Sequence, residues 1–155
     1  MSRPIALAIA AVVLLAAACG TSAAPTPTQG GFISVYGAWA RAAGIGADSA
    51  AYLTVTNGQL QDDTLVGASS PVATSAAVHQ TTADDSGMTG MHPTDSVVIK
   101  AGQDLVMAPG GYHVMLSKLT QALTVGGTFQ LTLTFEKTGP VSVAVEVRAS
   151  DAAPS

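Results

Sequence analysis

Residues 129–135, Phe-Gln-Leu-Thr-Leu-Thr-Phe, alternate apolar and polar side chains without a break. Successive residues of a strand point to opposite faces, so Phe129, Leu131, Leu133 and Phe135 fall on one side and predict a strand with one buried face. Residues 141–147 repeat the alternation after a Thr138-Gly139-Pro140 turn. Upstream, residues 50–56, 64–68, 72–82, 97–99, 104–107 and 112–117 also read as strands, several rich in β-branched residues. Asn57-Gly58, Ser69-Ser70-Pro71, Ala101-Gly102-Gln103 and Pro109-Gly110-Gly111 punctuate them as turns. Residues 32–40 alternate partially through Ile33, Val35 and Trp39, with Gly37 marking a bulge or a close approach. Residues 41–49 and the polar, Gly- and Met-containing stretch 83–93 read as loops. No long helical period survives beyond the N-terminal segment. Many short strands at turn-punctuated spacing predict an all-β sandwich or Greek-key barrel. At 155 residues and 48% hydrophobic, the chain suits one domain with an ample core.

The N-terminus has a separate logic. Arg3 precedes an unbroken apolar run of 14 residues, Ile5 to Ala18, too short for a comfortable membrane span. Small residues then lead into Cys19, the chain's one cysteine. This resembles a bacterial lipobox, although Leu15 stands one place earlier than the usual position. The expectation is a lipoprotein signal peptide over 1–18, lipidation at Cys19 and a Pro/Thr/Ser/Gly tether over 19–31. The β domain follows over 32–149, with a tail at 150–155. The mature protein is then expected outside the cytoplasm, anchored to the membrane by its lipid. A thiol-free domain suits that compartment, where paired thiols become disulfides.

The formal charge of −4, with no Lys or Arg cluster, leaves no electrostatic footprint for nucleic acid. There is no Gly-x-Ser-x-Gly and no phosphate-binding glycine motif, so the chain is not expected to be an enzyme. Asp62-Asp63 and Asp84-Asp85 read as solvated turns. What remains is soft chemistry. In the strand that opens at residue 112, His113 and Met115 share one face while Tyr112, Val114 and Leu116 take the core face. His79 stands near the end of an earlier strand. Met88 and Met91 sit in a polar loop, without a core to fill. Met107 reads as core filler, and His92 as a spare ligand or a surface histidine. Imidazole with thioether selects Cu(I) over Zn²⁺, and without a thiolate the set suits carrying the ion rather than electron transfer.

His79, Met91, His113 and Met115, with the string Gly-Gly-Tyr-His-Val-Met, resemble the motif of the PCu(A)C family of bacterial extracytoplasmic copper chaperones. That motif is a His, ten residues, a Met, twenty-one residues and His-x-Met; here residues 92–112 supply the twenty-one, and residues 80–90 number eleven. The extra residue keeps Met88 as a substitute or auxiliary ligand beside Met91, with His92 a further auxiliary. AAYLTVTN and LVGASSP extend the resemblance, which spans about residues 35–147. It implies a cupredoxin-like β-sandwich with an exposed Cu(I) site near one end, held by His79, Met91, His113 and Met115. It further implies delivery to the copper centre of cytochrome c oxidase, often alongside Sco-type proteins. The competing readings are a copper-sequestering or resistance lipoprotein and a non-metal envelope interaction module.

Overall fold

The computed structural model describes residues 33–83 and 87–149. The signal segment, Cys19, the tether, the C-terminal tail and the Asp84-Asp85 pair lie outside the described residues. The described chain forms β1 (Ile33–Arg41), β2 (Ser49–Asn57), β3 (Asp63–Ser69), β4 (Ala73–Ala83), β5 (Thr89–Pro93), β6 (Val97–Ile99), β7 (Asp104–Met107), β8 (Tyr112–Leu119), β9 (Thr128–Phe135) and β10 (Gly139–Arg148). The strand order is β5-β4-β8-β7-β2-β1-β10-β9-β3-β6, and a further pairing of β3 with β4, at Ala68 and Ala76, closes it into a barrel. β8 also pairs directly with β2, placing Met115 opposite Ala50 and Val114 opposite Ala51.

The alternation read from the sequence is the alternation of burial. Phe129, Leu131, Leu133 and Phe135 are all buried, and they join Val55, Leu65, Val78, Val114, Leu116 and Val145 in one core. Each such side chain contributes roughly 1.5–3 kcal/mol through the apolar area it takes from water. Tyr112 is partly buried against the same core, as its position in the strand predicts.

Gly37 does more than mark a bulge. The register of β1 on β2 shifts between Tyr36 and Trp39, where Gly37 adopts φ +64°. One extra residue reverses the alternation downstream. Ile33 and Val35 pack on the core before the bulge, and Ala38 and Ala40 do so after it. Trp39 and Arg41 are therefore turned to the outer wall, where Trp39 forms a second small cluster with Ala50 and Tyr52. The expectation that Trp39 continues the inward set of Ile33 and Val35 is corrected by this shift, and Arg41 ends β1 instead of opening a loop.

Three further expectations change. The stretch 83–93 is not wholly loop, because Thr89–Pro93 forms β5 and pairs antiparallel with β4 from Ala83↔Thr89 to His79↔Pro93. Thr-Gly-Met-His-Pro has little strand propensity of its own, and the long β4 supplies the template. Asn57 does not close a hairpin. Its buried side chain instead donates to the carbonyls of Gln61 and Ile99, both at 2.9 Å, and accepts the Gln59 N–H at 3.1 Å. Asp63 is not a solvated turn residue. It is 1% exposed and accepts from the backbone N–H groups of Thr64, Lys137 and Thr138 and from the Thr138 hydroxyl. Asp62 does stay in water, paired with Lys100 at 2.8 Å.

Candidate metal centre

The site is built on the outer face of β5, β4 and β8. β4 lies between the other two, and His79 sits directly opposite His113 across the β4–β8 ladder. Met115, two residues beyond His113, faces Ala77 on β4 and Ala50 on β2. Small neighbours on both sides leave the thioether room. On β5, Met91 is opposite Thr81, which shares a face with His79. Four strand positions thus place His79, Met91, His113 and Met115 on one face, across three adjacent strands.

The turn Ala108-Pro109-Gly110-Gly111 fixes one end of this arrangement. The Gly111 N–H donates to the Ala108 carbonyl at 2.9 Å, and Gly110 has φ +85°. Proline followed by a left-handed glycine is the signature of a type II turn. The Gly111 carbonyl then accepts twice, from the Thr81 N–H at 3.1 Å and from His113 Nδ1 at 3.2 Å. A carbonyl can only accept, so Nδ1 carries a proton, and in the neutral ring Nε2 then keeps its lone pair. That Nε2 is buried without a hydrogen-bond partner among the described residues, and so is His79 Nδ1. The two rings lie 5.9 Å apart, centroid to centroid. Burial first, and then the neighbouring His113 and His92, hold the His79 pKa below its ordinary value. A neutral imidazole is the form that ligates a metal.

Exposure is graded across the site. His113 is only 2% exposed, whereas Met91 is 57% exposed on the edge strand. An exposed site describes the Met91 side, and a buried one the His113 side. Met88 is exposed just before β5. His92 alternates to the opposite face of β5 from Met91, with its Nε2 2.9 Å from where a Cβ on Gly90 would stand. His92 is therefore not brought to the face that carries the other ligands. Met107 is 2% exposed in the core, as read from its position. Among the described residues, no three His, Cys, Asp or Glu side chains gather into a metal-binding group.

A cleft of about 200 Å³ opens beside His113, lined by Arg41, Tyr52, Thr81, Thr89, Gly90, Met91, Gly110 and His113. The Tyr52 ring lies 6.2 Å from His113 and 4.7 Å from Trp39. Sequence reading passed over Arg41 and Tyr52. The signal was the pair Trp39-x-Arg41 after the glycine at 37, since reversal of the alternation at the bulge carries both residues to the same outer face as Tyr52.

The family described as "Putative lipoprotein LpqE-like" matches across residues 33–147. A relative, "Putative lipoprotein Lxx21020" of Leifsonia xyli subsp. xyli, is 35% identical over 144 residues, covering 89% of this chain and 86% of that one. Among solved structures, the copper-bound PCuAC domain from PmoF2 is 28% identical with a TM-score of 0.65, covering 80% of this chain and 98% of that one. The solution structure of CuI-DR1885 from Deinococcus radiodurans is 36% identical with a TM-score of 0.57, over 76% and 80% of the two chains. These neighbours bear out the all-β, cupredoxin-like architecture.

Proposed function

This chain belongs to the LpqE-like lipoprotein family and has a PCuAC-type domain, and on that premise we propose that it carries Cu(I) outside the cytoplasm. The observation that supports this most is the cross-strand histidine pair. His79 Nδ1 and His113 Nε2 are buried and lack a hydrogen-bond partner among the described residues, which is costly unless something else pairs with them. Met115 and Met91 share their face, and two imidazoles with two thioethers suit a soft monovalent ion. His79, Met91, His113 and Met115 are the ligands in this reading. Met88 is an auxiliary that could stand in for Met91 as the ion leaves.

The gradient of exposure suits transfer. His113 and Met115 anchor the ion on β8, and Met91 on the edge strand is the ligand an incoming group replaces first. Each thioether can be exchanged without leaving the ion bare. The recipient in this proposal is the copper centre of cytochrome c oxidase, with a Sco-type protein as a working partner. Lipidation at Cys19 would hold the carrier at the membrane surface where that recipient sits. Sequestration without delivery is the alternative within copper chemistry.

Two experiments test the proposal. In a Cu(I) titration against a competing chelator, replacing both His113 and Met115 by Ala should weaken binding by about 100-fold or more, beyond the 10–100-fold typical of losing a supporting partner alone. Unchanged tight binding in that double variant would show that the ion sits elsewhere. Copper-loaded protein mixed with the metal-free copper domain of the oxidase should pass its ion on, whereas retention would favour storage.

A further inference from the structure

Arg41 is unlike the other arginine of the described chain. Arg148 reaches Glu146 through both Nε, at 3.2 Å, and Nη2, at 3.1 Å, while its guanidinium lies over Trp39. Arg41 lies over the Tyr52 ring at 5.5 Å and has no acidic partner among the described residues. Its Nε is buried and without a hydrogen-bond partner among the described residues. It lines the cleft that also holds His113 and Met91, and no acidic side chain among the described residues lines that cleft. The Tyr52 hydroxyl is held protonated, since burial pushes its pKa up more than the Arg41 charge lowers it.

We propose that Arg41 makes this cleft a carboxylate-binding subsite beside the metal centre, one that receives an acidic group of the molecule exchanging the ion. A guanidinium's planar array of N–H donors matches the two oxygens of a carboxylate. The part of the inference that concerns the loaded state rests on the copper reading. Cu(I) held by neutral imidazoles and thioethers keeps its positive charge, so a loaded cleft carries two positive charges and no described counter-charge. A carboxylate entering beside Arg41 would offset both. Linkage then requires that the ion and the carboxylate strengthen each other's binding. A recipient offering a carboxylate next to its own thioether would be held in register while Met91 is replaced.

The test uses the full chain, metal-free and Cu(I)-loaded, with the Arg41 Nε–H resonance followed by NMR and that of Arg148 as the internal control. Acetate should shift Arg41 saturably in the metal-free protein and leave Arg148 nearly still. Cu(I) should tighten acetate about 5-fold or more, within the usual range of coupling between sites. Arg41→Gln should abolish acetate binding, followed through the His113 ring signals, and Arg41→Lys should weaken it while keeping the charge. A blocked Met-Glu-Met peptide should bind more tightly than Met-Gln-Met if the carboxylate comes from a partner. Acetate binding without that preference would assign the subsite to small free carboxylates. An Arg41 Nε–H that does not respond to acetate, or acetate binding unchanged in Arg41→Gln, overturns the subsite. The metal-free arm decides this whether or not the copper reading holds.

Discussion

Two buried polar groups sit at different places on the barrel, and their surroundings are opposite. Asp63, at the start of β3, is 1% exposed and has five donors directed at it. His113, in β8, is 2% exposed and has one ring nitrogen tied to Gly111 while the other has no partner among the described residues. Burial alone would raise the Asp63 pKa, but hydrogen bonds from the Thr138 hydroxyl and the Lys137, Thr64 and Thr138 N–H groups bring it below the ordinary carboxylate range. The lesson is about what burial of a polar group is for. A fully satisfied group holds the β3 start to the β9–β10 turn. A group tied by one nitrogen, with the other open, is what the proposed copper site draws on.

The largest effect should come from the satisfied group. Asp63→Ala strands three backbone donors in a buried corner, each costing about 1–3 kcal/mol when left unmade. The expected loss is roughly 3 kcal/mol or more in denaturant unfolding, with Cu(I) affinity of the folded protein unchanged. A loss of copper binding in the folded variant would mean that the two regions are coupled.

Acid provides a second contrast. Because the folded pKa of Asp63 is depressed, its stabilising contribution is complete above the unfolded carboxylate pKa of about 4 and disappears as pH falls through the lower folded value. Unfolding free energy measured from pH 6 downward should therefore fall below about pH 4. Asp63→Asn should flatten that part of the profile, and an equally steep fall in the variant would assign the acid sensitivity to other carboxylates.

The smallest effects separate the two faces of β5. Met91→Ala should weaken Cu(I) about 10-fold, equivalent to about 1.4 kcal/mol, because a thioether on the site face is lost. His92→Ala should change it by less than about 2-fold, since that imidazole is on the other face, where a surface substitution costs within about 0.5 kcal/mol. The reverse order would show that β5 turns over when it meets the ion.

Much of the barrel was legible because burial follows a period of two. Phe129–Phe135 shows this most directly, and Tyr112, Val114 and Leu116 fall inward as the alternation requires. The same period divided His113 and Met115 from the core. What escaped was set by contacts distant in sequence. β5 has no strand signal of its own and exists because β4 templates it. Asp63 resembles any turn aspartate until residues 137 and 138 are folded onto it. Gly37 announced a bulge or a close approach, and only the register with β2 shows a bulge that sends Trp39 and Arg41 outward. The partnerless nitrogens of His79 and His113 could not be read at all, since an unpaired atom is a property of the packed structure.

X-ray absorption of the Cu(I)-loaded protein counts nitrogen and sulfur neighbours directly, which is the central claim. The proposed ligands His79, His113, Met91 and Met115 predict two nitrogen and two sulfur scatterers, with a sulfur contribution reduced in Met115→Ala. A shell without sulfur, or a sulfur count untouched by removing Met115, would contradict it.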